Sequence, residues 1–272
     1  MRHIAQSILC LGIICLAGSA CAAVEPAEAG GHVLQDSSVE QKSFDKGTSP
    51  TAGNRVFFIQ NSGQYDPQVK YVVRGIKGSV FFTPEEVVFD FVRTQTNQIA
   101  NSEKPGIPES SPRLERLVFR MHFDAGNPNV TVLGQKELPG KINYLKKSRT
   151  AWKTGISIFR EILYRNLYDD IDLRFSLPQN NLRYAIHLHG SAAPGKVRLT
   201  YSGIRGLDVN DNGDLIIHTA FGDFTEPPPK VWRNNKELKV RFRVIESNRV
   251  ELVKESATPG TSDKPGQSGG GT

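Results

Sequence analysis

An all-β fold, antiparallel and sandwich-like or built from two packed β units, follows from three observations. Apolar and polar residues alternate with period two through most of the chain between residues 54 and 254. Turn signals interrupt that alternation at short intervals, which is the pattern of many short strands. Helical spacing is hinted at in one stretch alone, 155–170, and its β-branched start also suits a strand followed by a turn.

The elements read in order as follows. "VFFI" (56–59) is a strand-like run that breaks at Asn61-Ser62-Gly63-Gln64 and resumes as an alternating strand over 69–73. "SVFFTPEEVVFDFVR" (79–93) is two strands around Thr83-Pro84-Glu85-Glu86. "RLERLVFRMHF" (113–123) sets Leu117, Phe119, Met121 and Phe123 against Val118, Arg120 and His122. The stretches 196–203, 207–219 and 239–245 repeat the pattern, and no fixed-period repeat is visible.

Around this core the composition changes. Arg2 and His3, the apolar run 8–17 and the small residues of "SACAA" (19–23) form a secretory signal, with cleavage after Ala22 or Ala23. A lipoprotein reading would anchor Cys21, but Gly18-Ser19-Ala20 lacks the usual aliphatic residue. All three cysteines, Cys10, Cys15 and Cys21, fall here, so the exported domain has no thiol nucleophile, disulfide or cysteine metal site. Residues 23–53 read as a disordered leader and 255–272 as a linker-like tail. A further low-order insertion, 96–112, marks a subdivision of the 54–254 domain. No transmembrane helix is expected after the signal.

The formal charge is +6, and removing Arg2 with the signal leaves +5. Basic residues concentrate in 141–153 and 239–243. In an exported chain these meet anionic glycans, headgroups or wall polymers rather than nucleic acid. The simpler reading is a solvated face that keeps the protein soluble.

The ordered motifs resemble the uncharacterised exported domain that precedes SBBP (seven-bladed β-propeller) repeats in bacterial surface and secreted proteins. The resemblance rests on Phe58, Ile59, Asn61, Gly63 and Gln64; on "SVFFTPEEVVF" (79–89); and on "LPGKINYL" (138–145) with Pro139, Gly140, Asn143 and Tyr144. It continues through "LYDDIDLRF" (167–175) with Asp172, then 182–203, 213–219 and "PPPKVW" (227–232). Glu86 and Asp170 stand where that family has turn glycines, and no propeller repeats follow in this sequence. The resemblance implies an all-β exported domain of unassigned activity and lends no catalytic residues.

Three clusters have chemistry to weigh. Asp208, Asn210, Asn212 and Asp214 surround Gly213 with the alternate oxygen spacing of a Ca²⁺ loop. Position 12 is Thr219 rather than Glu, and Asn212-Gly213 is a hairpin dipeptide, so a turn is favoured and no cofactor is expected. His187 and His189 share one face of a strand and, with His218, would supply three imidazoles for a metal. No carboxylate with an evident role accompanies them.

"YDDID" (168–172) offers acids for glycoside hydrolysis, yet consecutive acids at a turn more often cap backbone amides. The Asn61–Gln64 corner reads as a turn held by its own side chains. The function expected is therefore a non-enzymatic envelope or surface module, with an envelope glycan or a surface protein as partner. It would be periplasmic, cell-surface or secreted. The alternative is a polysaccharide hydrolase using Asp170 and Asp172 or the His set.

Overall fold

The computed structural model describes residues 9–10, 55–75, 78–95, 113–145 and 148–255. Residues 23–53, the insertion 96–112 and the tail beyond Glu255 lie outside the described residues. The chain is all-β: a small four-stranded sheet packs against a large sheet of fourteen strands that is nearly closed.

A two-residue strand, β1 (Leu9–Cys10), lies within the segment read as an export signal. The large sheet begins with β2 (Phe58–Gln60), β3 (Tyr71–Gly75), β4 (Gly78–Phe82), β5 (Glu86–Gln95) and β6 (Arg113–Phe123). It continues through β7 (Thr131–Tyr144), β8 (Lys153–Tyr168), β9 (Ile171–Ser176), β10 (Arg183–Leu188) and β11 (Arg198–Ser202). The small sheet takes β12 (Gly206–Val209), β13 (Leu215–Thr219) and β14 (Gly222–Glu226) as a meander, with β1 parallel to β14. The chain then returns through β15 (Lys230–Arg233), β16 (Lys236–Leu238), β17 (Val240–Glu246) and β18 (Arg249–Lys254).

The order across the large sheet runs from β16 at one end to β17 at the other. These two strands are separated in sequence by Lys239 alone, so both ends of the sheet must meet there. Glu255 N–H donates to Lys239 O across that seam, at 3.1 Å. Pairing is antiparallel throughout this sheet except between β10 and β15. A parallel pair needs a long crossover, and here it carries β11 and the β12–β14 meander of the small sheet.

Sequence explains the doubled apolar runs. Phe58, Val73, Phe82 and Phe89 enter the main core, while Ile59, Val72, Phe81 and Val88 enter a second cluster on the opposite face. Strands covered on both faces have no reason to alternate. The second cluster is closed by Ile142, Tyr144, Ile156 and Ile158 from β7 and β8. Each fully buried Phe in these layers, such as Phe58 and Phe82, stabilises the fold by about 1.5–3 kcal/mol.

β5 and β6 pair from Glu86 opposite His122 to Gln95 opposite Arg113, so the two strands flanking 96–112 are direct neighbours. The 155–170 stretch is strand β8 followed by a turn, not a helix. It pairs with β7 along one edge and with β2 and then β9 along the other. A register shift between Tyr164 and Tyr168, with Asn166 at φ 52°, gives this strand its helix-like spacing of buried residues. The small sheet turns Leu207, Leu215, Ile217 and Phe224 into the main core. There the Phe224 ring stacks on Phe91, centroids 5.4 Å apart.

Candidate functional site: an enclosed carboxyl at an apolar cavity

The Asn61–Gln64 corner is a knot of local hydrogen bonds. Asn61 Nδ2 donates to Asp66 O and Val69 O, both at 2.8 Å, and Oδ1 accepts from Gly63 N–H at 3.0 Å and Tyr65 N–H at 3.2 Å. Gln64 is buried; its Oε1 accepts from Ser62 N–H and its Nε2 donates to Gln60 O. Gly63 sits at φ 94°, a conformation that costs a residue with a Cβ dearly.

The next residue ties this corner to the 138–145 stretch. Tyr65 Oη lies 2.9 Å from Tyr144 Oη, with the two rings edge to face. Burial, with Tyr144 close by, pushes the Tyr65 hydroxyl well above its ordinary range. Pro139 and Gly140 sit in the register shift between Glu137 and Lys141, and Asn143 Oδ1 accepts from Gly155 N–H.

Asp172 is committed as well. Its Oδ1 accepts from Asn166 N–H at 2.8 Å, and its Oδ2 faces His189 Nε2 at 3.0 Å. Asp170, in the turn before it, adopts φ 61°, a left-handed conformation that Asp tolerates better than most residues.

The three imidazoles do not share a strand: His189 lies just past the end of β10, and His187 and His218 are on different sheets. His187 is on β10, where burial and the Arg174 charge hold its pKa below the usual value. His218 is on β13 between two carboxylates: Nδ1 is 2.8 Å from Asp223 Oδ1 and Nε2 is 2.9 Å from Asp208 Oδ2. Hydrogen bonding to Asp223, then to Asp208, raises its pKa.

The 208–214 segment is the β12–β13 hairpin. Asn210 Oδ1 accepts from the N–H groups of Asn212 and Asp214, so it holds the turn rather than facing an ion. Among the described residues no group of three or more His, Cys, Asp or Glu side chains could hold a metal ion.

A different place gathers unspent polar chemistry. Between β9–β10 and β5–β6 lies a cavity of about 400 Å³, walled by Phe89, Met121, Phe175, Leu182, Tyr184 and the run Pro227–Pro229. Glu226, the last residue of β14, also lines it. The residue as a whole is half-buried, but its carboxyl is enclosed. Oε1 has no contact with solvent and no hydrogen-bond partner, and the same holds for Tyr184 Oη. Tyr201 Oη reaches Glu226 Oε2 only at 3.5 Å.

Tyr184 lies within hydrogen-bonding reach of the carboxyl, but not in a geometry that makes a well-formed bond. Burial drives the Glu226 pKa up to about 7, against the lesser pull of Tyr184, Arg183 and Tyr201 in the other direction. Both tyrosine hydroxyls are themselves raised far above their usual range by burial. Leaving a buried polar group poorly paired costs about 1–3 kcal/mol, so two at one cavity call for an explanation.

Sequence patterning does not single out Glu226; it marks only the "PPPKVW" that follows it. One signal was present. Phe224 and Glu226 are two residues apart on one strand and so face the same core, and an acid there is out of place.

A second concavity of about 500 Å³ lies along the seam between β16 and β17–β18. It is lined by Arg233, Arg243, Lys254, Leu238 and Pro194, with Glu251 among them. Arg243 and Arg198 both bridge Glu251, whose side chain is only 7% exposed. No helix among the described residues is long and apolar enough to cross a membrane.

Fold and cavity together define an all-β domain with an enclosed carboxyl inside a nearly closed sheet. The chain belongs to a family described as a domain of unknown function (DUF7948), whose model matches residues 58–259. No curated protein and no solved structure matches it.

Proposed function

We propose that this is an exported, non-enzymatic module that binds an anionic polymer of the cell envelope along its closing seam. One observation supports the reading most. The basic 239–243 stretch lies at the seam, beside the open concavity that gathers Arg233, Arg243 and Lys254, with Lys239 and Arg241 exposed nearby. Clustered cations on a concave surface attract anionic chains and raise their local concentration. The apolar segment 8–17 with its small-residue flank, and the likeness to domains that precede SBBP repeats, support export.

A hydrolase reading finds less support. Both Asp172 oxygens are engaged, and His218 is held by two carboxylates of its own.

The test is a pull-down of the full-length chain on the host's envelope fraction, at low and high salt, with and without protease treatment. Binding that survives protease, weakens with salt and falls on Arg241→Gln with Lys254→Gln supports the proposal. Binding that protease abolishes, or that ignores both salt and the charge variants, refutes it.

A further inference from the structure

We infer that the Glu226 cavity is a binding site for a small neutral, mostly apolar molecule bearing one hydroxyl, which would bridge Tyr184 Oη and Glu226 Oε1. The inference is independent of the seam: either can fail without the other.

The walls set the body of the ligand. Phe89, Met121, Phe175 and Leu182 offer only apolar surface, and Pro227–Pro229 offers three backbone positions without an N–H. That wall gives an anion no backbone donor. The volume, about 400 Å³, is within the range of small-molecule sites.

The inner end sets the polar group. Tyr184 Oη carries a proton to donate and Glu226 Oε1 carries lone pairs to accept; the two side chains are within reach of each other, yet neither atom makes a hydrogen bond of good geometry. A hydroxyl accepts from one and donates to the other with a single atom. An anionic ligand would meet a carboxyl in an apolar enclosure. A cationic one would meet Arg183, near the carboxyl, and Lys230, both lining the cavity.

A carboxyl that is still partly protonated near neutral pH can also reorient its own proton to suit the guest, and burial gives Glu226 that property. The site is built by three separate elements, β10, β11 and β14, whose side chains Tyr184, Tyr201 and Glu226 converge. A fold that needed only apolar packing there would bury Leu or Phe at position 226 at lower cost.

The experiment uses the full-length chain and 2-naphthol as probe, with naphthalene and 2-naphthoate as the non-hydroxylic and anionic comparisons. Calorimetric titration and thermal melting are run on wild type, Glu226→Gln, Glu226→Leu and Tyr184→Phe. The expected result is saturable 2-naphthol binding that raises Tm, with naphthalene about three- to tenfold weaker and 2-naphthoate not bound. Glu226→Gln, which keeps shape and an acceptor oxygen, holds the affinity within about threefold. Glu226→Leu and Tyr184→Phe each lose about three- to tenfold, with their own melting temperatures showing that they fold. The inference is overturned by absent saturable binding and unchanged Tm. It is equally overturned if naphthalene binds as tightly as 2-naphthol, or if folded Glu226→Leu binds as well as wild type.

Discussion

Glu226→Gln should make the protein more stable, and by an amount that depends on pH. An unperturbed Glu titrates near 4.5, and in the folded chain Glu226 titrates near 7. Below pH 4.5 both states hold the proton and the residue contributes no pH-dependent term. Between 4.5 and 7 the unfolded chain releases the proton while the native chain keeps it, so wild-type stability falls as pH rises. Above 7 both states are ionised and the loss levels off. At about 1.4 kcal/mol per pH unit, the full cost is about 3 kcal/mol. The Gln side chain has the shape of the protonated acid and never ionises.

The variant should therefore match wild type within about 1 kcal/mol at pH 4.5, where only hydrogen-bond differences remain. It should exceed wild type by about 3 kcal/mol at pH 8. Urea denaturation of both proteins at five pH values from 4.5 to 8.5 reads the difference directly. A difference that does not change with pH would show that Glu226 is solvated and titrates normally, and would remove the enclosed carboxyl from the account. A difference growing in the opposite direction would mean that donors in the fold stabilise the carboxylate.

Other perturbations probe other parts of the structure. Asn61→Ala deletes the side chain that holds five backbone groups of the corner, and should cost about 2–4 kcal/mol in urea denaturation. A loss under about 0.5 kcal/mol, the range of ordinary surface changes, would mean that the knot contributes nothing. Gly203→Ala places a Cβ 2.4 Å from Val118 O at a residue with φ 76°, and should destabilise by about 2 kcal/mol or more; an unchanged Tm would contradict that. His218, held between Asp223 and Asp208, should titrate above 6.5 by NMR, and Asp223→Asn should bring its midpoint down. Because its folded pKa is raised, the stability it adds is fully present below pH 6.5 and is lost as pH rises through the folded value.

How much was legible before the fold was known depends on which faces are covered. β6 shows clean alternation because one face meets the core and the other meets solvent, with Arg116 and Arg120 paired to Asp90 and Glu86 on the neighbouring strand. β3, β4 and β5 are covered on both faces, which turned period two into runs such as Val72-Val73 and Val80-Phe81-Phe82 without hiding that they are strands. β8 was ambiguous for a local reason. Its register shift puts Tyr164, Leu167 and Tyr168 into one core, an i, i+3, i+4 spacing that a helix would also give.

Closure of the sheet could not be read at all, since it depends on which distant strands become neighbours. The candidate site was hidden by the same property. Tyr184, Tyr201 and Glu226 belong to three strands that no local pattern connects. The clusters that stood out in sequence, at 61–64, 168–172 and 208–214, stood out because turns concentrate polar residues, and turns spend them on backbone.

The measurement that bears most directly on the Glu226 cavity is a crystal structure of the full-length chain grown with 2-naphthol. The naphthyl ring is expected between Phe175, Leu182 and the Pro227–Pro229 wall, with its hydroxyl within hydrogen-bond distance of both Tyr184 Oη and Glu226 Oε1. A cavity holding only a chain of waters from Glu226 to the surface, or a ring bound elsewhere on the molecule, would contradict it.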